Sequence, residues 1–542
     1  MTDPLPAETT PHGPADLVYR GGTVRTMTGE VHSGLACRDG LFTAVGTDAE
    51  ISALIGPDTT VVELEGRTVL PGFIETHLHP YMLGMNAAHV DAGPDACPDI
   101  ETLVAALSER AAASGAGEEI LGTGFDDSLV ADDRGLTVAD LDRVSTTRPV
   151  VVRHLSGHGL YANSVALRTA GIDQSTPEPV GGTIVRFTDG TPTGELLEVP
   201  AMMLLGDVGQ LFPAGGLDEA LRLALRRMAS VGVTSFHDLF VTDEMLESYQ
   251  RMDEAGELFL RARAYLGLYV VEGMDAAGTS PYASDMFAAA GVKLISDGSL
   301  QLHTGALSEP YYDLGGCHCG EMAIPEGDLM EMVASCHAAG RQVAIHTNGD
   351  RAIDHALDAI EAAAAGSDKT ISHRLEHVQT LREDQIQRMA ELGVRASVFV
   401  NHVYYWGDRH RDRFLGPERG SRISPLASIT AAGIPFALHC DCPVTPVNPL
   451  FTIDTAVNRV TRDGHVLGPE QRIDPATAIA GYTSSAATIA GEEAVKGTIA
   501  PGLLADFVVL SDDPQTCAPT AIKDITVLAT VVGGREVYAA AT

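Results

Sequence analysis

The chain has 542 residues, 45% of them hydrophobic, which is enough for one large domain together with a smaller one. Lysine and arginine total 36 against 73 aspartates and glutamates, and the net charge is −37. Because such an acidic surface repels phosphate backbones and anionic lipids, composition argues against nucleic acids and membrane surfaces as partners.

The start of the chain and its cysteines indicate a cytoplasmic protein. The first 16 residues contain no basic region followed by an apolar core, and no run approaches the roughly 18 apolar residues that span a bilayer. The eight cysteines are scattered, and a chain of this size does not need disulfides to fold. We therefore expect cytoplasmic localisation and reduced thiols.

The two ends of the chain share one character. Residues 1–15 are rich in proline and threonine and are expected to be disordered. Residues 16–70 contain strand-like runs separated by glycine turns, and residues 497–542 repeat that pattern. We expect both ends to pair into one small β-sandwich that flanks a larger domain of residues 71–496.

The segment VLPGFIETHLH, residues 69–79, ends in two histidines separated by one residue. Side chains alternate between the faces of a strand, so His77 and His79 point the same way, two rises of about 3.3 Å apart. One metal ion can then be held by both. Alone, the pair is equally compatible with two ordinary polar residues, so its meaning depends on the segments that follow.

Four later segments repeat this design, with a polar side chain in or at the end of a short apolar run. GVKLISDG contains Lys293, RQVAIHTNGDR contains His346, HRLEHVQ contains His377, and PFALHCDCPV contains Asp441. A buried lysine costs several kcal/mol unless it is neutralised or paired. A lysine that reaches the surface or pairs with Asp297 is the alternative. Beside four histidines and an aspartate, a metal role is favoured.

These motifs resemble the amidohydrolase superfamily, and in particular amidohydrolase family 3, over nearly the whole chain. Besides the His-x-His pair, the matching stretches are VKLISDGSLQLHTGALSEPYYD at 292–313, HTNGDRAID at 346–354, RLEHVQ at 374–379, DCPVTPVNPL at 441–450 and GTIAPGLLADFVVLSDDP at 497–514. The resemblance implies an α/β fold, a (β/α)₈ TIM barrel with one or two divalent metals at the carboxyl ends of its strands.

Such a barrel needs eight strands, whereas nine segments are strand-like. They are 72–78, 149–155, 232–238, 261–268, 291–297, 342–347, 373–378, 394–400 and 435–441. If Lys293 lies on the fourth strand, as the resemblance requires, the surplus strand precedes it, and RPVVVRHLSGH belongs to an insertion of about residues 92–205. Long connections in compact domains are usually lids or binding elements, so we expect an ordered cap.

The resemblance also implies the roles of the site residues. It assigns as metal ligands His77, His79, Lys293, His346, His377 and Asp441. Lys293 would be N6-carboxylated and bridge two metals; burial favours this modification because it lowers the pKa of a lysine. Zinc is the expected metal, as one or two ions, with another divalent ion as the alternative. One departure stands out, because His439 and Cys440 occupy positions that are commonly Gly-Ser in relatives.

The metal set predicts hydrolysis. Zinc-like cations lower the pKa of bound water from about 15.7 to about 7, and Asp441 is the expected catalytic residue that passes the proton to the departing nitrogen. We expect cleavage of a non-peptide carbon–nitrogen bond in an N-substituted amide or formamide. The alternatives are a deaminase or cyclic-amide hydrolase of the same fold, and a scaffold protein without catalysis. Lys293 argues against the deaminase, because deaminases of this superfamily typically lack the bridging lysine.

Two residues are candidates for contact with a small-molecule amide substrate. His158 lies in SGHGLYANSVAL of the predicted cap, and a histidine packed within the cap is the alternative. Trp406, the only tryptophan, follows the seventh predicted strand beside two tyrosines and suggests an apolar or aryl substituent, with a structural plug as the alternative. The expected assemblies include a homodimer.

Overall fold

The computed structural model describes residues 13–115, 117–206, 208, 216–267 and 282–541, and most of the predicted disordered tail lies outside these residues. The described chain forms three sheets: a parallel barrel, a sheet built from both ends of the chain, and a sheet within the insertion. In these ranges no helix combines the length and the apolar character needed to cross a lipid bilayer.

The central sheet contains eight parallel strands that follow one another around a nearly closed barrel. In order, the first to eighth barrel strands are Phe73–Leu78, Val233–Val241, Arg261–Gly267, Phe287–Ile295, Gln342–Thr347, Arg374–His377, Arg395–Val398 and Phe436–Leu438. An isolated parallel bridge between Leu78 and Cys442 joins the first strand to the segment after the eighth. The predicted TIM barrel is confirmed, and Lys293 lies on the fourth strand as expected.

Helices cover the outside of the barrel, so its strands are buried on both faces and read as apolar runs. Their bounds are Pro80–Asn86, Leu217–Ala229, Asp243–Glu254, Glu326–Ala338, Asp350–Ala364, Glu383–Leu392, His402–Arg409, Gly416–Ser421, Leu426–Ala431, Pro449–Asn458, Pro475–Ala480 and Ser484–Ala490, with a π-helical turn at His410–Phe414 and a 3₁₀ turn at Pro469–Gln471. The helix Asp350–Ala364 shows the rule: Ile353, Ala356, Leu357 and Ile360 form one buried stripe at helical spacing.

The insertion between the first two barrel strands has its own sheet. Its strands are Val90–Asp91, Ile120–Phe125, Val150–His154, Gly159–Ala162, Thr183–Arg186 and Pro192–Leu197, and its helices are Ile100–Ala113, Val138–Asp142, Ser164–Thr169 and Glu198–Met202, followed by a 3₁₀ turn at Met203–Leu205. The surplus strand of the sequence analysis, Val150–His154, pairs with its neighbours in this sheet and not with the barrel. The insertion is therefore an ordered cap.

The two ends of the chain share one eight-stranded sheet. Its strands are Leu17–Arg25, Val31–Arg38, Leu41–Gly46, Thr60–Glu63, Thr68–Pro71, Phe507–Leu510, Val527–Val532 and Arg535–Ala539, accompanied by the helix Asp48–Ser52 and a 3₁₀ turn at Pro519–Asp524. The strand Thr68–Pro71 pairs antiparallel with Phe507–Leu510 and so joins the two ends. A sandwich of two layers, and the domain boundaries, stay predictions.

Gly84 lies on the helix after the first barrel strand, where it packs against the helix that precedes the second. A Cβ atom at Gly84 would lie 1.9 Å from the carbonyl oxygen of Ala220. We therefore expect Gly84→Ala to force the helices apart and lower the free energy of unfolding by about 1–3 kcal/mol. Gly327 is also helical but has no atom within 4 Å of its Cβ position. Gly327→Ala is the control, and equal losses in denaturant melts of both variants would contradict the packing argument.

Candidate metal centre

The six predicted ligands meet at the carboxyl ends of the barrel strands. They line a single cavity of about 210 Å³: His77, His79, Lys293, His346, His377 and Asp441. His77 lies on the first strand and His79 directly after it. With Lys293 of the fourth strand and the histidines of the fifth and sixth, they surround the aspartate that follows the eighth. This is the end of a barrel where enzymes of this architecture keep their chemistry.

His77, His79 and Asp441 form one compact group of the site. The Nε2 atoms of His77 and His79 each lie 3.4 Å from Oδ1 of Asp441. Bonds of about 2.0–2.1 Å to a tetrahedral zinc ion place neighbouring ligand atoms about 3.3 Å apart, so the observed spacing fits such an ion. Oδ1 of Asp441 is buried and has no hydrogen bond among the described residues. The donor set and this unsatisfied oxygen both fit a divalent cation.

Lys293, His346 and His377 extend the site. Lys293 Nζ lies 3.3 Å from His77 Nε2, and His377 Nδ1 lies 3.8 Å from Oδ2 of Asp441. The other ring nitrogen of His377 is 3.0 Å from Nδ1 of His346. All six side chains are therefore connected by contacts, as one centre of one or two ions requires.

Neither alternative proposed for Lys293 is realised. The side chain does not reach the surface, because the residue is 3% exposed. Asp297 instead accepts three backbone N–H groups, those of Ala306, Asn348 and Gly349. Burial lowers the pKa of Lys293 to about 8, which increases the neutral fraction of the amine that carboxylation requires.

The backbone is strained where the ligands leave the strands. His377 and Asp441 have φ angles of 66° and 52°, in the left-handed region that residues other than glycine rarely adopt. The Asp441 N–H donates to the carbonyl of His77, which ties the eighth strand's exit to the first strand. Strain of this kind persists only where surrounding contacts fix it, and it is common at functional sites.

Glu376 bonds His77 through its Nδ1 atom, and Arg374 in turn bonds Glu376. Neither residue was predicted from the sequence. Oε2 of Glu376 lies 2.7 Å from Nδ1 of His77 and accepts its proton, so Nε2 of His77 keeps its lone pair for a cation. Arg374 donates to both oxygens of Glu376 and to the carbonyl of Thr76. The sequence signal for both residues was the presence of two opposite charges in a short strand-like segment that is otherwise compatible with burial.

His439, the departure noted in the sequence, lies directly against His77. The two rings are stacked, with centroids 4.7 Å apart and planes 17° apart. Phe399 stacks on His439 with centroids 5.1 Å apart. Nearly parallel rings direct their in-plane lone pairs side by side, which is a poor geometry for two ligands of one ion. One nitrogen each of His77, His377 and His439 nevertheless lies within 4.8 Å of the others, so His439 is a further candidate ligand that packs between His77 and Phe399.

The cap contributes His158 to the same cavity. Its ring centroid lies 4.9 Å from that of His346. Nδ1 of His158 is 2.7 Å from Oε2 of Glu198, a residue that sequence reasoning did not single out. The structure thus brings the predicted substrate residue His158 to the candidate metal centre, where a second cap residue, Glu198, contacts it.

Trp406 is not brought to this cavity. Its side chain is fully buried, and its indole Nε1 donates to Oδ2 of Asp126 in the cap, at 2.7 Å. These contacts fit the structural alternative to substrate binding, because Trp406 packs between the barrel and the cap. Apolar lining comes instead from Met82, Leu239 and Phe240, among others.

A group of potential ligands in the cap has a different explanation. Asp126, Asp127 and His154 offer ligand atoms within 4.8 Å of one another. However, the backbone N–H of Ser156 donates to Nδ1 of His154, which places the proton of the neutral ring on Nε2. That nitrogen faces Asp127 at 3.4 Å. A neutral His154 thus directs its Nε2–H toward Asp127, so this contact is accounted for without a cation.

The class of protein follows from the barrel, the six converging side chains and the family comparison. The model of the amidohydrolase family matches residues 60–538, so the chain belongs to the amidohydrolase family. The family identified from the sequence motifs is thereby confirmed.

Individual relatives match over nearly the whole chain. The protein is 32% identical to Protein LONG AFTER FAR-RED 3 of Arabidopsis thaliana, over 97% of this chain and 92% of the relative. It is 29% identical to an N-substituted formamide deformylase of Arthrobacter pascens, over 96% and 97% of the two chains. Among solved structures, an uncharacterised metal-dependent hydrolase from Pyrococcus horikoshii is similar with a TM-score of 0.75 and 25% identity, covering 93% of this chain and 99% of that one.

Proposed function

We propose that the protein is a metal-dependent hydrolase that cleaves a carbon–nitrogen bond other than a peptide bond, in an N-substituted amide or formamide. The observation that carries the proposal is the convergence of all six predicted ligands in one cavity. The match to an N-substituted formamide deformylase over nearly the full length of both chains supports this choice of substrate class.

The residues present fit one or two divalent cations, and zinc is the proposed metal. His77, His79 and Asp441 would hold one ion, and His346 and His377 a second, with carboxylated Lys293 between them. When bound, such cations supply Lewis acidity that makes water a nucleophile at neutral pH and polarises a carbonyl. Burial lowers the pKa of Lys293 and so favours the neutral amine that N6-carboxylation requires.

Asp441 is the proposed proton carrier. Burial alone would raise its pKa, but His77 and His79 hold the pKa of Asp441 well below its ordinary value, so it is ionised and able to accept a proton. In the proposed reaction its carboxylate accepts the proton of the attacking water. It then gives this proton to the departing nitrogen, which leaves as a neutral amine.

The apolar wall of the cavity favours an apolar N-substituent. We expect kcat/KM to rise from N-methylformamide to N-hexylformamide, because burying a longer chain gains about 1.5–3 kcal/mol, roughly 10–100-fold. Met82→Asn should remove much of this gain while leaving N-methylformamide turnover nearly unchanged. Steady-state kinetics on both substrates measure it, and an equal loss on both would show that Met82 does not contact the substituent.

A substrate screen with metal-replete enzyme tests the proposal. Formamides, aryl amides, cyclic amides and amino-purines are assayed separately for released amine, opened ring and ammonia. We expect amine release from N-substituted formamides or amides. Ammonia from an amino-purine would instead indicate a deaminase, and ring opening without a free amine would indicate a cyclic-amide hydrolase.

A further inference from the structure

His158 and Glu198 form a pair that is fixed by backbone and side-chain contacts, and both residues belong to the cap. The strand that begins at Gly159 pairs antiparallel with the strand that ends at Leu197, and this register brings His158 and Glu198 side by side. The backbone N–H of Glu198 donates to the carbonyl of His158 at 2.7 Å. Their side chains meet at 2.7 Å as well, so both backbone and side chains fix the pair.

Glu198 has little freedom to turn away from His158. It is 7% exposed, and its φ of 65° lies in the left-handed region. Its second oxygen, Oε1, faces Gly298, where a Cβ atom would lie only 2.1 Å away. This glycine is therefore required for the carboxylate to fit, and its own carbonyl oxygen lies 3.1 Å from Nε2 of His346. The cap pair thus rests on the same segment that holds a candidate metal ligand.

The pairing determines which atom His158 presents to the cavity. A carboxylate only accepts hydrogen bonds, so the contact with Glu198 places the proton of the neutral ring on Nδ1. In this neutral form Nε2 carries a lone pair, and it is the remaining polar atom of a side chain that lines the cavity. Burial lowers the pKa of His158, but the nearby Glu198 carboxylate outweighs burial and raises this pKa above its ordinary value, so the neutral form is the one present at pH values above the raised pKa. A triad carboxylate fixes the tautomer of its histidine by the same physics.

We infer that Glu198 is a positioning residue that holds His158 in this tautomer, and that Nε2 of His158 accepts a hydrogen bond from the N–H of the substrate amide. The inference rests on the proposed function and narrows it. The enzyme should select amides that retain one N–H, such as N-monosubstituted formamides, over N,N-disubstituted ones. An N,N-disubstituted amide has no proton to offer and would leave Nε2 without a partner in a confined site.

The test compares N-hexylformamide with N-hexyl-N-methylformamide in the metal-replete enzyme. We expect the natural protein to prefer the first by about tenfold or more in kcat/KM. In Glu198→Ala the imidazole remains but loses the acceptor that fixes its tautomer, so the preference should fall toward unity. Glu198→Gln, whose amide oxygen still accepts from Nδ1, should keep part of the preference. Glu198→Asp should restore part of it. His158→Ala should abolish it, and His32→Ala, on the terminal sheet, is the control that should leave it unchanged.

These outcomes separate hydrogen bonding from simple crowding and from failure of the proposed function. If only His158→Ala changed the preference, the ring would be a steric wall and the inference would be wrong. Nitrogen-15 spectra of histidine-labelled protein, with the His158 signal assigned by its loss in His158→Ala, give a readout independent of activity. A proton on Nε2 in the natural protein would overturn the inference, as would a shifted tautomer in Glu198→Ala with an unchanged preference. Absence of turnover on both formamides, and on the corresponding N-hexylacetamide, would instead contradict the proposed function.

Discussion

Asp441→Asn is expected to lower kcat by about 10²–10⁴-fold while the protein stays folded and keeps its metal. Asparagine retains an oxygen at the position 3.4 Å from His77 and His79, so the ligand set stays nearly complete. It cannot accept a proton at neutral pH, so transfer to the departing nitrogen is lost. Turnover, metal content and a thermal melt of the same preparation measure the three quantities.

The control for this variant is Asp412→Asn, which removes an exposed carboxylate that pairs only with Arg411 in the part of the chain that the structure describes. It should leave turnover and metal content unchanged. Near-normal turnover in Asp441→Asn would show that another group carries the proton. Loss of metal together with activity would show that Asp441 is chiefly a ligand.

Arg374→Met is expected to destabilise the protein by about 3–5 kcal/mol. Arg374 and Glu376 are both fully buried and hydrogen-bonded to each other, so the variant leaves the Glu376 carboxylate in the barrel interior without its countercharge. The guanidinium also lies over the ring of Tyr265, 4.8 Å from its centroid, and that contact is lost too. Denaturant unfolding, followed by circular dichroism, measures the change.

Arg251→Met is the matched control, because its ion pair with Asp218 is largely exposed and should contribute at most about 1 kcal/mol. The double variant Arg374→Met/Glu376→Gln should recover part of the lost stability, since the uncompensated charge is then removed. A loss in Arg374→Met no larger than that in Arg251→Met would contradict the role of the pair as a buried support for His77.

The six candidate ligands could be picked out from the sequence because each lies in or just after a short apolar run. Alternation along a strand places His77 and His79 on one side, and Lys293 is costly in an apolar run without a special role. The family resemblance supplied the rest, namely the barrel and the order of its strands. With Lys293 fixed on the fourth strand, the surplus strand had to belong to an insertion, and Val150–His154 does lie in the cap sheet.

The groups that support the ligands could not be predicted, because they act across long sequence separations. Glu376 meets His77 from 299 residues away, and Trp406 reaches Asp126 across 280 residues. The sequence around an aromatic residue at a barrel mouth looks the same whether that residue lines the cavity or joins the barrel to the cap. The fold distinguishes these two roles, and it places Trp406 at the junction between barrel and cap.

Anomalous diffraction from crystals of the zinc-replete, active protein would locate the metal. We expect a peak at the zinc absorption edge between His77, His79 and Asp441, and density for a carboxylated Lys293 if a second ion lies near His346 and His377. An active preparation with no peak in this cavity, or one that keeps full activity after its metal is removed, would contradict this expectation.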